Sequence, residues 1–364
     1  MANNLPARFF GLTVDDVSDA EKIYKRLKLF KDHVSSAPRP IVRFVFDIDR
    51  DTSPQDYRDV IREIQNRELG YVMGEIMDSQ YIHACRSEPL STACYLDRTK
   101  SYFQTLGEWV DIWEIGNEVN GEWTGWYNGE WEKDYVSARD MQETSDWVAA
   151  QVAAAYNYLK IEKRKPVAVT FYFNEDGEGE HSWTDIEKKE TDSSPNMVRF
   201  GQHHGMLEWA AKYRHMFPVL DYVFVSYYQD NEWIGSNERR RQFIPSIEQW
   251  ARIFTKLRGF YPDAKLGFGE VGPECRYLGD SCEPQEPKDG FEGDCKDRDC
   301  ECCLKAQPIY LERYYLDWDA KIRARLGSDY VGGYFYWHFS PDVVRRRNPN
   351  TIKMLKKIYA DWYR

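Results

Sequence analysis

Short runs rich in β-branched and aromatic residues alternate along the chain with longer segments in which apolar residues recur every three or four positions. Runs of the first kind predict strands, and segments of the second kind predict amphipathic helices. Eight such units follow one another, and every interval between strands is long enough for a parallel crossover. The predicted strands begin near Arg8, Pro40, Gly70, Asp111, Pro166, Asp221, Ala264 and Tyr330.

A predicted helix follows each strand, and several helices begin at residues that favour a helix start. Ser53-Pro54 and Asn348-Pro349 each combine a capping side chain with a proline in the first turn. The predicted helices span Asp19–Lys31, Pro54–Arg67, Lys100–Trp109, Ala138–Glu162, Met197–Met216, Ile244–Tyr261, Gln307–Leu326 and Pro349–Tyr363.

Eight units in one series favour a (β/α)8 (TIM) barrel over a doubly wound open sheet, whose strands would divide around a switch point. A barrel of this kind needs about 250 residues. The remaining residues are expected in long loops after strands 4, 5 and 7, on the face where barrel active sites form. No linker or change of composition divides the chain. We therefore predict a single α/β domain over residues 1–364, with a cysteine-rich insertion at 271–306.

The composition indicates a globular protein and narrows its partners. Hydrophobic residues make up 42% and charged residues 30% of the chain, and the formal net charge is −11. This negative charge disfavours nucleic acid and anionic membrane surfaces as partners. No apolar run approaches the roughly 20 residues that span a bilayer. Aromatic residues reach 15%, which suits either a large core or a surface that stacks on sugars.

Two of the predicted strands end in a glutamate. Strand 4 reads Asp111-Ile-Trp-Glu-Ile-Gly-Asn117-Glu118, and strand 7 reads Ala264-Lys-Leu-Gly-Phe-Gly-Glu270. In an eight-stranded ring these strands lie across the lumen from each other, so both carboxyl groups reach the same rim. Paired carboxyl groups across a cleft suit glycosidic bond cleavage, in which one protonates the leaving oxygen and the other attacks or activates water.

These motifs resemble the clan A glycoside hydrolases, which are retaining enzymes built on this barrel. In that clan the glutamate of an Asn-Glu pair ending strand 4 is the acid/base, and a glutamate ending strand 7 is the nucleophile. The resemblance therefore implies these roles for Glu118 and Glu270. It extends to Arg43 on strand 2, Tyr228 near the end of strand 6 and Trp337 at the end of strand 8.

The resemblance also implies how neighbouring residues shift the pKa values of the two catalytic glutamates. Arg43 and Tyr228 would hydrogen-bond Glu270 and lower its pKa, so that it is a carboxylate at neutral pH. The neighbouring carboxylate and desolvation would raise the pKa of Glu118, which then holds the proton for the leaving group. Glu114 lies on the same strand face as Glu118 but lower in the barrel, and we interpret it as structural.

Other residues would bind the substrate. The resemblance places Asn117 at the sugar 2-hydroxyl and Trp337 beneath the ring being cleaved. Trp123 and Trp126 lie in the connection after strand 4, where asparagines and glycines indicate a loop. On a loop these rings would stack on further sugars, whereas a core helix would use them only for packing. We interpret them as sugar-binding residues.

Strand 6 departs from the clan pattern and leaves one choice open. Many members have a histidine where this chain has Ser226, so the family within the clan is not identified. Tyr227 and Tyr228 are adjacent, and side chains alternate along a strand, so only one of the two can face the lumen.

The eight cysteines are unevenly placed. Cys85 and Cys94 share the connection after strand 3, and the other six lie between Cys275 and Cys303. Their even number favours disulfides, and hence a secreted or periplasmic protein. We expect one bond joining Cys85 to Cys94 and three within the later segment. The alternatives are a metal or cluster site at the last four cysteines, and reduced thiols in a cytoplasmic protein.

Together these features predict a retaining glycoside hydrolase that cleaves an oligo- or polysaccharide by double displacement. The expected partner is a carbohydrate substrate, and we expect no cofactor and no resident metal. A catalytically silent carbohydrate-binding barrel and a transglycosylase are the alternatives. Glu118, Glu270 and Arg43 argue against a silent barrel, because binding alone does not need their charge arrangement.

Overall fold

The computed structural model describes residues 5–34, 36–46, 53–86, 91–121, 124, 138–173, 205–230, 245–274, 301–345 and 348–363. Within them, parallel strands form a closed barrel in which each strand pairs with the next in sequence and the last pairs with the first. The predicted (β/α)8 fold is confirmed. The strands are β1 (Phe9–Val14), β2 (Ile41–Val45), β3 (Tyr71–Glu75), β4 (Ile112–Gly116), β5 (Val167–Tyr172), β6 (Tyr222–Asp230), β7 (Lys265–Glu274) and β8 (Tyr330–Tyr336).

Helices connect consecutive strands along the outside of the barrel. The described α-helices are α1 (Ala20–His33), α2 (Pro54–Asn66), α3 (Ala93–Leu106), α4 (Ala138–Tyr156), α5 (Met206–Tyr213), α6 (Ile247–Phe260), α7 (Glu301–Leu311), α8 (Asp319–Leu326) and α9 (Pro349–Tyr363). The 3-10 segments are Ser79–Cys85, Arg214–Met216 and Gly327–Asp329, and the π-helical segments are Asn157–Glu162, Glu312–Trp318 and Phe339–Arg345.

The strands match their predictions more closely than the helices do. Every strand begins within one residue of its predicted start. Helix α3 begins at Ala93 rather than Lys100, and its first turns bury Tyr95 and Thr99. The helix predicted over Gln307–Leu326 is instead α7 and α8 joined by a π-helical segment. Residues 197–204, part of another predicted helix, lie outside the described residues.

Side chains inside the barrel change from apolar to polar towards the rim where the strands end. Every second residue of a strand points inward. Moving two residues along β2, β3 and β4 from the apolar cluster leads to Arg43, Glu75 and Glu114, which are all buried. The cluster itself consists of Phe9, Ile41, Met73, Ile112, Ala168, Phe224, Val331 and Phe335.

Aromatic side chains fill much of the space between the barrel and its helices. The ring of Tyr227 packs against Phe173, Trp250 and Trp318, with centroid distances of 5.4, 5.2 and 5.8 Å. Tyr227 therefore faces outward, and strand alternation turns Tyr228 towards the lumen. Core packing accounts for part of the high aromatic content.

The predicted disulfide between Cys85 and Cys94 is present, with Cα atoms 5.3 Å apart. It joins the end of the 3-10 segment after β3 to the first turn of α3. Cys303 is also disulfide-bonded. Residues 275–300, most of the predicted insertion at 271–306, lie outside the described residues. Among the residues that the structure describes, no helix is long and apolar enough to cross a membrane.

Candidate active site

At the rim, Arg43 of β2 contacts three carboxyl groups. Its Nη2 lies 2.7 Å from both Glu75 Oε2 and Glu270 Oε1, and its Nε donates to Glu114 Oε2 at 2.5 Å. Thr170 of β5 donates a further hydrogen bond to Glu114. These ion-paired side chains are at most 4% exposed. One cation therefore faces three carboxyl groups in a site that is shielded from water.

Glu270 of β7 receives contacts from β2 and β6. Besides its ion pair with Arg43, its second carboxyl oxygen accepts a hydrogen bond from the Tyr228 hydroxyl. Its backbone N–H donates to Ser226 Oγ at 3.1 Å. The structure thus brings together Glu270, Arg43 and Tyr228, as the resemblance implies.

Glu118 lies two residues after the end of β4 and has an unusual backbone conformation. Its φ angle is 44°, in the left-handed region that residues other than glycine rarely adopt. The flanking backbone is fixed by a hydrogen bond from Gly121 N to Glu118 O at 2.7 Å and one from Val119 N to Thr170 O at 3.2 Å. Ser79 Oγ donates to Glu118 Oε2 at 3.4 Å. Such conformations concentrate at functional sites, where the surrounding structure holds them in place.

The structure describes only some of the residues that the sequence predicts to bind substrate. Asn117 is 5% exposed, and its Oδ1 has no hydrogen-bond partner in the described part of the chain. The side chain of Trp337 is half-buried, and the centroid of its ring lies 5.8 Å from the guanidinium carbon of Arg43. Trp123 and Trp126 lie outside the described residues.

Burial raises the pKa of Glu118 well above its usual value, and the charges of Glu270 and Asp78 raise it further. A hydrogen bond with Ser226 and the charge of Arg43 lower this pKa but do not offset the rise. The net effect favours the protonated form of Glu118. This direction agrees with the expectation from the sequence.

Burial raises the pKa of Glu270 to about 7. Arg43 and Tyr228 lower this pKa, as expected, while Asp78 raises it. The expectation of a lowered pKa for Glu270 is nevertheless wrong, because burial outweighs the favourable partners. The pKa values of Glu118 and Glu270 are thus both raised, and burial is the largest cause of each shift.

The fold is similar to several solved structures. The AHE enzyme of Alicyclobacillus herbarius aligns with a TM-score of 0.54 and 12% identity over 93% of this chain and 90% of that one. The GH1 β-glucosidase of Exiguobacterium antarcticum B7 aligns with a TM-score of 0.52 and 14% identity over 91% of this chain and 88% of that one. The GH53 catalytic domain of Ignisphaera aggregans aligns with a TM-score of 0.55 and 14% identity over 100% of this chain and 98% of that one. These likenesses show the fold. No family model matches the chain, and no curated protein matches its sequence.

Three polar residues of the site were not identified as functional from the sequence. Glu75 contacts Arg43, and burial raises its pKa well above the usual value. Asp78 caps the 3-10 segment after β3 through Gln80 N at 2.8 Å, and its charge acts on both catalytic candidates. Ser226 Oγ accepts the Glu270 N–H. Strand alternation could have indicated Ser226, because it is two residues before Tyr228.

The arrangement offers a proton donor and a potential nucleophile at one rim. Burial favours the protonated form of Glu118, whereas Arg43 and Tyr228 favour the ionised form of Glu270. Glu114, interpreted as structural, bonds Arg43 and so fixes the guanidinium between the carboxyl groups. Within the described ranges, no group of three or more His, Cys, Asp and Glu side chains could hold a metal ion.

Proposed function

We propose that this protein is a retaining glycoside hydrolase of clan A, with Glu118 as acid/base and Glu270 as nucleophile. The observation that carries this proposal is the buried pair itself, in which Glu118, whose pKa burial raises, accompanies a Glu270 bound by Arg43 and Tyr228. The similarity of the fold to a GH1 β-glucosidase and a GH53 catalytic domain supports the assignment to the glycosidases.

The pair acts in two displacements. In the first, the Glu270 carboxylate attacks the anomeric carbon while Glu118 gives its proton to the leaving oxygen, which breaks the glycosidic bond and leaves a glycosyl ester. In the second, the Glu118 carboxylate takes a proton from water, and the resulting hydroxide displaces Glu270 from the sugar. Two inversions retain the anomeric configuration.

The neighbouring residues position the sugar. Asn117 Oδ1, which lacks a partner in the described structure, accepts a hydrogen bond from the 2-hydroxyl. This bond strengthens as charge develops at the transition state. Trp337 lies beneath the ring being cleaved, and Trp123 and Trp126 stack on sugars beyond it.

Kinetics of two variants test the roles of the carboxyl groups. Glu270→Ala should lose nearly all activity, and azide should restore turnover by giving the glycosyl azide of inverted configuration. Glu118→Ala should retain the first step on dinitrophenyl glycosides, whose leaving group needs no proton, and lose it on unactivated glycosides. Glu248→Ala, a change at an exposed glutamate on α6, is the control.

The substrate screen begins with aryl β-glucosides, because the Exiguobacterium antarcticum neighbour is a β-glucosidase. Other aryl glycosides and polysaccharides follow. Sugar binding without turnover by the wild-type protein would favour the silent barrel. Products that carry the sugar on an added acceptor, in preference to water, would favour a transglycosylase. Opposite responses of the two variants would reverse the assigned roles.

We also propose that the protein is secreted or periplasmic and forms one domain over residues 1–364. The bonded Cys85, Cys94 and Cys303 support an oxidising compartment. The insertion at 271–306 begins directly after the nucleophile, so it would form one wall of the cleft and limit which substrates enter.

A further inference from the structure

The carboxyl group of Glu75 belongs to the site but takes no part in the two displacements. It lies on β3 and is completely buried, and its Oε2 is 2.7 Å from Nη2 of Arg43. The same nitrogen is 2.7 Å from Oε1 of Glu270. One nitrogen atom of Arg43 therefore contacts two carboxyl groups, one on β3 and one on β7, and the second of them is the proposed nucleophile.

The three carboxyl groups around this guanidinium differ in the side-chain hydrogen bonds that they accept. Glu114 accepts two, one on each oxygen, from the guanidinium Nε at 2.5 Å and from the Thr170 hydroxyl. Glu270 accepts one, from the Tyr228 hydroxyl. Neither carboxyl oxygen of Glu75 has a hydrogen-bond partner among the residues that the structure describes. Glu75 is thus the carboxyl group with the least support for a negative charge.

The charge balance of the cluster points to the same residue. One guanidinium cannot balance three buried carboxylates, so at least one carboxyl group is more stable with its proton. Hydrogen bonds donated to a carboxylate favour its ionised form, and Glu114 and Glu270 accept such bonds. Burial raises the pKa of Glu75 well above its usual value, and Arg43 does not offset the rise. The proton therefore belongs on Glu75.

We infer that Glu75 is a positioning residue which, as a neutral carboxyl group, holds the Arg43 guanidinium beside Glu270 without competing for its charge. The inference rests on the proposed function, in which Glu270 attacks as a carboxylate. A protonated carboxyl group still has an oxygen that accepts from a guanidinium N–H. A second carboxylate at the same nitrogen would instead repel Glu270 and share the cation with it.

Several charged or titratable groups face Glu75, and the test must separate Glu270 from the others. They are Arg43 of β2, Asp78 after β3, Tyr95 of α3, Glu114 of β4 and Glu270 of β7. The variant Glu270→Gln removes the charge at the shared nitrogen and keeps the other four groups. A change in the titration of Glu75 in this variant therefore reports the contact through Arg43.

The decisive experiment needs no substrate. Wild-type protein, Glu75→Gln and Glu270→Gln are prepared with 13C-labelled glutamate carboxyl groups, and the resonance missing in each variant identifies its residue. In the wild type we expect Glu75 to titrate at a higher pH than Glu270. In Glu270→Gln the midpoint of Glu75 should fall by about one pH unit or more, because two carboxyl groups that share one site raise each other's proton affinity.

The reverse substitution tests the charge of Glu75. Glu75→Gln should leave the midpoint of Glu270 unchanged, because an amide is neutral like the protonated carboxyl group. A fall of that midpoint by about one unit would mean that Glu75 carries a charge, and it overturns the inference. So does a Glu75 that titrates below Glu270 or does not respond to Glu270→Gln. Glu248→Gln, a change at an exposed glutamate, is the control and should move neither midpoint. If either glutamine variant does not fold, the asparagine variant at the same position takes its place under the same criteria.

Kinetics test whether the oxygen of Glu75 positions Arg43. Glu75→Met has a side chain of similar size without an oxygen, so kcat/KM should fall roughly tenfold and its acidic limb should move to higher pH as Glu270 loses a well-placed cation. Glu75→Gln keeps an acceptor and should lose much less. Equal losses in the two variants, with no shift of the limb, would overturn the positioning role. A wild-type protein that cleaves no glycoside would contradict the proposed function, whereas the titration would still decide the charge of Glu75.

Discussion

The guanidinium of Arg43 contacts a cluster of carboxyl groups that are almost completely buried. Arg43 can balance a single negative charge, yet it touches Glu75, Glu114 and Glu270. Ionising all three would leave uncompensated charge in a buried site, which is costly. Burial raises the pKa values of Glu75 and Glu270, the charge of Glu114 raises them further, and Arg43 only partly offsets the rise. The site therefore favours proton binding.

This proton binding gives a stability prediction for Glu118. Its pKa in the folded protein is raised, whereas an unfolded chain releases the proton near pH 4.3. The unfolded state thus binds fewer protons above that pH, and the folded protein loses stability as pH rises through the folded pKa. Glu118→Gln does not titrate, so its melting temperature should exceed that of the wild type by a few degrees at about pH 8.5.

At about pH 5 the same difference should be much smaller, because little stability is lost over the short interval between the unfolded pKa of about 4.3 and this pH. Thermal melts followed by circular dichroism measure both. The control is Glu248→Gln, because bonds with Arg325 lower the pKa of this exposed glutamate and no gain at high pH is expected. A gain for Glu118→Gln that does not depend on pH would contradict the raised pKa.

Strand alternation predicts which residues enter the site better than it predicts their partners. Tyr228 follows Phe224 and Ser226 at every second position, so its inward direction could be read from the chain. The contact between Arg43 and Glu75 depends on how β2 and β3 align. That register, Arg43 beside Met73 and Val45 beside Glu75, comes from closing the barrel and is not encoded in either strand alone.

At the scale of elements, strands were easier to locate than helices. Each strand is a short β-branched or aromatic run with a sharp beginning, and burial on both faces keeps it apolar. The π-helical segment Glu312–Trp318 lies between α7 and α8 without breaking the apolar pattern, since Tyr314, Tyr315 and Trp318 are all buried. The apolar periodicity therefore predicted one continuous helix, whereas the backbone changes from α-helix to π-helix and back to α-helix.

The placement of β4 and β7 leads to a prediction about stereochemistry. Glu118, after β4, and Glu270, on β7, are both buried, and the charge of Glu270 raises the pKa of Glu118. We expect a separation of about 5–5.5 Å, which leaves no room for the water that inverting enzymes place between carboxyl groups about 6.5–9.5 Å apart. The first product seen by NMR should keep the anomeric configuration of the substrate.

An aryl glycoside hydrolysed in the spectrometer allows this measurement before mutarotation mixes the anomers. The Glu118→Gln variant, run under the same conditions, shows how much of the signal comes from spontaneous hydrolysis. An inverted first product, or carboxyl groups separated by the wider distance in a crystal structure, would contradict the retaining mechanism.

At the scale of the whole molecule, the cysteines connect the barrel to the predicted insertion. Between Cys275 and Cys303 the chain is rich in Asp and Glu and poor in apolar residues, so it cannot form a core of its own. Cross-links would remove freedom from the unfolded chain, by about 3 kcal/mol for a closed loop of about 15 residues. The disulfide at Cys303 already ties the end of this segment, at the start of α7.

We therefore predict four disulfides in the natural protein, one between Cys85 and Cys94 and three within the segment. Thiol titration of denatured, unreduced protein should then find almost none of the eight cysteines free, and reduction should release all of them. The Cys85→Ser/Cys94→Ser variant should release no additional thiol, because it removes a complete pair. Six free thiols would restrict the bonding to Cys85 and Cys94, and metal held by the segment in stoichiometric amount would replace the disulfides there. Either result would contradict the disulfides predicted for this wall of the cleft, and eight free thiols would also remove the argument for export.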